Sequence, residues 1–371
     1  MSNTGKPSQK AAPKEASAPS VADEQMLKAG DDPAPACMDG GPGAASVSSY
    51  LFAFVPEACE MEVPPEGSTI YSMAVSGDIT PFASMGETFE SDSIRSDRST
   101  PAGKPKRSTL EQTKEQDFTI GEPLRRWVEA CLQNKEKDGV ILAPRNPMKK
   151  FTFTLFEHIK DVGMLTIISG AVIKNLKLSM SSGNKGSMSI DWAGQKDETK
   201  QVDGDIPYKI EQLKDSAYVV DWEVKSIKVA GKEVSEICDS IEVEIDNGVN
   251  VSQTLKGFRV STGRLLATVK ASISLTKDTN YYQLAKNGEK QKVEFLIEDS
   301  ITKNSMKITL PNATISAADM STKDGSFVTD VTFQGGVDDS KTDEKEYTAV
   351  MFEIVVNDKE VPPEAVKTPT P

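Results

Sequence analysis

Between residues 151 and 194 apolar and polar positions alternate with a period of two. Phe151, Phe153 and Leu155 form one apolar set, Val172, Leu176, Leu178 and Met180 a second, and Met188, Ile190 and Trp192 a third. Successive side chains of a strand point to opposite sides of a sheet, so this spacing gathers each set on one face. The run from Ser181 to Gly186 (Ser-Ser-Gly-Asn-Lys-Gly) supplies turn residues. The stretch predicts three antiparallel strands with one buried face and one wet face.

The pattern returns later in the chain. Lys292–Glu298 mirrors the first strand, Ser305–Ser316 the second, and Phe327–Gly336 the stretch Ser187–Gly194. Both copies end in a strand followed by glycine. Such recurrence at a long period predicts an internal duplication: two related domains rather than a solenoid.

The rest of the chain fits that plan. Ser49–Pro56 and Ser68–Gly77 read as strands, separated by the turn formers Pro64-Pro-Glu-Gly67. Residues 89–107 are polar, with Pro and Gly at intervals, and predict a long loop. Its Arg95, Arg98, Lys104, Lys106 and Arg107, mixed with Asp92 and Asp97, suit either an acidic neighbour or plain solvation. Glu122–Leu132 predicts a helix, with Pro123 in its first turn and Leu124, Trp127, Val128, Cys131 and Leu132 on one stripe. In the second copy, two strands turn at Ala230-Gly-Lys232, Ser240–Gly248 alternates and stops at Asn-Gly, and a loop follows through Leu255–Arg259. Leu265–Leu275 is a strand, Asp278–Gly288 a short helix, and Glu346–Val356 closes the fold. The predicted organisation is an arm-like or disordered extension (1–47), a first domain (48–196), a linker (197–215), a second domain (216–357) and a flexible tail (358–371).

The chain has 371 residues and a formal net charge of −13. Tight nucleic-acid binding relies on Lys and Arg neutralising phosphates, so this charge argues against it. Cys37, Cys59, Cys131 and Cys238 lack CxxC spacing, so no zinc site or disulfide framework follows. Cys131 falls on the apolar helix stripe and reads as a buried thiol, and a Cys37–Cys59 pairing stays open. No apolar run is long enough to span a membrane, and no signal peptide is visible. The one histidine, His158, follows a strand without a nucleophile motif near it. GxSxG, HExxH, P-loop and GxGxxG motifs are absent, so no catalytic, cofactor or metal residues are assigned. Acids such as Glu242 and Glu244 alternate within strands and read as a solvated face.

Four stretches carry a family resemblance: Phe89–Arg98, Phe151-Thr-Phe-Thr154, Gly170–Ser179 and Gly186–Gly194. Ile241–Gly248, the Tyr281 helix, and Ile308–Pro311 leading to Val331–Gln334 carry it in the second half. Over residues 48–356 the order of these motifs resembles the tail tube proteins of long-tailed, siphovirus-type bacteriophages, in a duplicated-domain form. The extension before Ser48 departs from the family pattern.

The resemblance implies a mainly β fold: two tandem tail-tube-like β-sandwich or barrel domains, each with one short α-helix. It implies rings that stack into a hollow tube, with DNA passing through the lumen without specific binding. Two domains per chain turn a sixfold ring into a trimeric, pseudo-sixfold one. Partners implied are further copies of the chain, the tape measure protein and other tail proteins, in a virion tail assembled in the host cytoplasm. Candidate inter-subunit contacts are Phe89, Arg95, Asp97, Arg98, Lys104, Arg107, Asn247, Phe258 and Arg259. Another particle protein (capsid decoration or tail-end) and a carbohydrate-binding β module are the alternatives. The last needs exposed aromatics, whereas Trp127, Trp192 and Trp222 all read as core-facing.

Overall fold

The computed structural model describes residues 49–76, 88–89, 104–105, 110–145, 150–213, 216, 218–255, 257–276, 281–323 and 325–357. The expected N-terminal arm, most of the loop from Phe89 to Arg107, the start of the second helix at Asp278, and the C-terminal tail lie outside them.

The chain is mainly β. Its first half runs through β1 (Tyr50–Pro56), β2 (Thr69–Met73), a short pair β3 (Thr88–Phe89) and β4 (Lys104–Pro105), then β5 (Glu111–Asp117) and α1 (Glu122–Leu132). There follow β6 (Ile141–Leu142), β7 (Phe153–Ile159), β8 (Met164–Ser181), β9 (Ser187–Ala193), β10 (Lys196–Gln201) and β11 (Lys209–Gln212). The second half holds β12 (Val224–Val229), β13 (Lys232–Glu233), β14 (Cys238–Asp246), the hairpin β15 (Asn250–Thr254) and β16 (Gly257–Ser261), β17 (Leu266–Ser274) and α2 (Tyr281–Asn287). It closes with β18 (Gln291–Glu298), β19 (Ser305–Lys323), β20 (Ser326–Gly335), α3 (Glu344–Tyr347) and β21 (Met351–Val355).

The halves repeat one set of antiparallel pairings. β1 pairs β7, β7 pairs the first part of β8, the second part of β8 pairs β9, and β9 pairs β5. In the same places β12 pairs β18, β18 the first part of β19, the second part of β19 pairs β20, and β20 pairs β17. The irregularities recur too. Register slips between Phe153 and Leu155 and again between Gln291 and Val293, each opposite a long strand. It slips between Ile173 and Asn175 on β8, and between Ile315 and Ala317 on β19. A bulge bends its strand and raises the local twist. Here the bends let one long strand leave its first sheet and enter a second.

The two second parts meet in one continuous sheet, in the order β5, β9, β8, β14, β17, β20, β19. The joint between halves is the β8–β14 ladder, from Ser181 opposite Ser240 to Asn175 opposite Asp246. A single hydrophobic cluster runs beneath it, from Phe52 to Ile354. In the first half the Trp127 ring of α1 stands edge-on to Trp192 at 5.3 Å, with Phe54 3.9 Å away. In the second half Tyr281 of α2 stands edge-on to Phe333 at 6.3 Å. Edge-to-face stacking of this kind adds to the area each ring buries.

Several expectations change. The polar stretch after Gly194 is not a plain linker: β10 joins the edge of β8, and β11 runs parallel to β2. Both strands are exposed on each face, so they lack the alternation that betrays a half-buried strand. The Leu255–Arg259 loop is part of the β15–β16 hairpin. A helical turn occupies Glu344–Tyr347, so the closing strand starts only at Met351. His158 lies within β7 and is buried. Trp222 is 71% exposed rather than core-facing, because a helical turn at Asp221–Glu223 breaks the alternation that the neighbouring residues suggest.

The glycines that end each copy have a steric cause. A Cβ at Gly194 would run into the Ile168 side chain, and one at Gly335 would come within 2.5 Å of the Ala349 carbonyl oxygen. Gly194→Ala and Gly335→Ala are each expected to destabilise the fold by about 1–3 kcal/mol, the usual cost of overpacking. Denaturant titration measures it.

Candidate functional site

The polar side of the seven-strand sheet is an organised surface built from several strands. Alternation along β14 turns Ile241, Val243 and Ile245 into the core and leaves Glu242, Glu244 and Asp246 on the open side. The neighbouring strands add Asn175, Lys177 and Ser179 from β8, Ser189 and Asp191 from β9, and Thr113 and Glu115 from β5. On the far side stand Thr268, Lys270 and Ser272 of β17, Asp330 and Thr332 of β20, and Asp319 of β19. A shallow depression of about 370 Å³ crosses this surface, lined by Ser179, Ser181, Glu242, Lys270, Ser272 and Asp330 among others.

Carboxylates outnumber lysines here, and each lysine is spent on an acid. Lys177 meets Glu242 at 2.7 Å across the joint; Lys270 meets Glu242 at 2.8 Å and Glu244 at 3.5 Å; Lys174 meets Glu111 at 3.0 Å. Burial pushes the Glu242 carboxyl up, but hydrogen bonds from Lys177 and Lys270 outweigh it and hold the group below its ordinary range. The hydrogen bond to Glu242 raises Lys270, and that to Glu111 raises Lys174. Asp319 and Asp330 stand directly opposite each other, with no ion pair of their own among the described residues. Like charges so placed repel. Such a surface offers little to a phosphate backbone.

The sheet ends in an open edge. From Thr314 to Lys323, β19 pairs β20 on one side and no strand on the other, among the described residues. At the opposite end β5 carries on its far side, among the described residues, an isolated bridge from Ser76 to Glu115. Met320 on the open edge is 60% exposed. By register it matches Leu178 of β8: Met320 lies five residues past Ile315 at the second bulge, as Leu178 lies five past Ile173 at the first. Leu178 is buried and faces Val243 across the joint.

Another titratable cluster is internal. Lys114 on β5 points inward and meets Glu157 at 2.6 Å, and the Tyr50 hydroxyl donates to the same carboxylate at 2.6 Å. Burial lowers the Lys114 pKa and raises that of Tyr50. His158 is held low by burial and then by Lys160, and its Nε2 has no hydrogen-bond partner. No group of three or more His, Cys, Asp or Glu among the described residues is placed to hold a metal ion. Cys131 is buried, and burial pushes its thiol up; Cys59 is exposed and free.

The expected contact residues separate. Phe89 and Lys104 sit opposite each other in the β3–β4 pair, while Arg95, Asp97, Arg98 and Arg107 lie outside the described residues. Asn247 is buried; its amide donates to the Ile173 carbonyl at 2.9 Å and ties the joint from within. Phe258 is half-buried and Arg259 exposed, both on the β15–β16 hairpin. Sequence reasoning missed Met320, Leu255 and Trp222. The one signal for Leu255 was that the alternation of Val249, Val251 and Gln253 carries it past the end of β15.

A family model described as phage tail tube protein matches residues 51–335, from the first residues of β1 to the last of β20. The chain belongs to this family. No curated protein matches the sequence. As a phage tail tube protein it is a structural component of the virion tail. Among the described residues no helix is long and apolar enough to cross a membrane.

The Lys177–Glu242–Lys270 bridge predicts an acid-sensitive joint. Glu242 titrates below its ordinary 4.5, so its stabilising effect is complete above that value and is lost as pH falls through the lower folded-state value. Glu242→Gln is expected to flatten the fall in stability between about pH 5 and pH 3, by less than about 1 kcal/mol for so exposed a pair. Denaturant titrations of both proteins across that range read the difference.

Proposed function

We propose that this chain is the tube-forming subunit of the tail, and that three copies close into a pseudo-sixfold ring. The rings stack into a hollow conduit through which DNA leaves the particle. The recurrence of one pairing scheme in both halves supports two equivalent tube domains per chain. The single observation that carries the ring is the open edge of β19. Its counterpart on β8 is already completed inside the chain by β14. The next copy would complete β19 in the same manner, on the β5 side of its own sheet, and would bury Met320 as Leu178 is buried. Two edges at opposite ends of one sheet, one open and the other carrying an isolated bridge among the described residues, make a head-to-tail contact, which closes into a ring when the rotation suits. Covering them also removes an edge open to aggregation.

In that ring the polar side of the sheet lines the bore. An acidic wall whose lysines are already neutralised presents no fixed cation for a phosphate to settle on, so DNA slides without pausing.

Negative-stain imaging of the purified protein should show rings with threefold subunit symmetry. Met320→Asp is expected to leave the monomer fold intact and abolish the rings, because it places a charge where burial is required. Rings of normal yield from that variant would count against the edge contact. For the bore, Asp319→Lys with Asp330→Lys in assembled particles is expected to slow genome ejection, read by the release of DNA over time. Unchanged timing would sink the sliding account while leaving the ring untouched.

A further inference from the structure

We infer that the connector between β10 and β11, residues 202–208, is a flap that opens in acid, with His158 beneath it as the trigger. The inference concerns the folded chain alone and holds with or without the ring.

The flap covers a wall that the second half leaves wet. Alternation along β7 sends Leu155 into the main core and Phe156 into a separate small cluster on the other side. Counting from the register slips, Phe156 and His158 match Glu294 and Leu296 of β18, and Leu165 of β8 matches Lys307 of β19. In the second half Glu294 and Lys307 form an ion pair at 3.1 Å, both partly exposed. In the first half Phe156, Leu165 and Ile167 are buried instead, and the flap supplies the cover. Ile206 is buried against them, and the Tyr208 ring lies 4.7 Å from that of Phe156. The cover is thin, since β10 and β11 on either side of it are exposed on both faces.

His158 is the misfit beneath this cover. It is 4% exposed, and its buried Nε2 has no hydrogen-bond partner. Register places it between Leu51 of β1 and Leu165 of β8, whose side chains offer it no polar atom. A buried polar atom left unpaired calls for a reason beyond packing. The leucine at the matching place in the second half shows that the strand pattern does not require an imidazole.

Two elements bring charge towards the ring: the turn after β7 brings Lys160, and the flap itself brings Asp205. These two pair with each other at 2.9 Å, largely exposed. A neutral imidazole is tolerated there. A protonated one sets a charge among apolar side chains, near Lys160 of the same sign, with Asp205 already engaged. An unpaired buried charge costs far more than a neutral group, and lifting the flap lets water relieve it. Few bonds resist. The Val202 N–H donates to the Gly163 carbonyl at 2.7 Å, the Gly67 N–H donates to the Pro207 carbonyl at 2.7 Å, and the Lys160–Asp205 pair closes the rim.

The direction with pH follows. With the flap shut, burial and then Lys160 hold the imidazole below its ordinary 6.5. Opening returns it towards that value. Closure is therefore undiminished above about pH 6.5 and weakens as pH falls below it. The opening equilibrium rises by up to about tenfold per pH unit until the shut-state value is reached.

Hydrogen–deuterium exchange of the full chain at about pH 7.5 and about pH 5.5, corrected for the intrinsic pH dependence of amide exchange, reads the flap. Residues 196–212 are expected to exchange up to about tenfold faster at the lower pH, with β14 unchanged. His158→Leu, which installs the residue of the second half, is expected to abolish the difference. The chain has one histidine, so a single imidazole resonance reports its titration without any variant, with a midpoint expected below 6.5. Flap exchange that ignores pH, or that accelerates equally in His158→Leu, would overturn the inference. So would faster exchange of β14 at the same pH, which marks loosening of the whole fold. Should the variant fail to fold, the wild-type resonance decides: a midpoint at or above 6.5 overturns the inference, and one below it that tracks the flap's acceleration upholds it.

Discussion

The unpaired backbone along the second part of β19 is the constraint on which the rest of this protein depends. The N–H and C=O groups of alternate residues on that strand face outward, with no strand beside them among the described residues. Backbone groups that end up away from water without partners cost free energy, and those left in water invite another chain. The same molecule carries the solution once already. β14 lies along β8, bridging the two halves with seven register pairs and burying Leu176, Leu178 and Met180. In the proposed ring, a chain that builds this joint internally and leaves its second instance open among the described residues finds the missing strand in its own kind.

The bulges make that arrangement possible. Without the slips at Ile173–Asn175 and Ile315–Ala317, each long strand would continue straight and remain in one sheet. With them, the first part of β8 holds the wall that buries Phe156 and Leu165, while the second part carries the polar face. One strand thus serves packing on one side and the open surface on the other. The acidic character of that surface follows from alternation alone. Valine and isoleucine turn inward on β14, so Glu242, Glu244 and Asp246 turn outward, and Lys177 and Lys270 anchor Glu242 from both sides.

Much of this was legible in the sequence. Period-two alternation located β7, β8, β9, β14 and β17, and the stripe Leu124, Trp127, Val128, Cys131 and Leu132 located α1 at its observed bounds. The duplication signal lay in strand order and in terminal glycines whose steric role only the fold reveals. The misses have physical causes. β10 and β11 are exposed on both faces and so carry no alternation. β5 reads Glu-Gln-Thr-Lys-Glu-Gln-Asp, with no apolar residue; its inward Lys114 is accommodated by Glu157 and Tyr50, distant in sequence. Buried charge of that kind holds only when paired, and pairing is not visible in a local pattern. Trp222 looked internal because strand periodicity was extended through a helical turn. The open edge and the Leu178–Met320 correspondence depend on long-range register, which no single segment encodes.

Hydrogen–deuterium exchange along residues 314–323 tests the central claim most directly. In the isolated chain the outward amides of this strand should exchange quickly, and in the assembled state they should become protected to the same degree as residues 175–181 of β8. Protection that is already complete in the isolated chain, or absent in the assembly, would contradict the account.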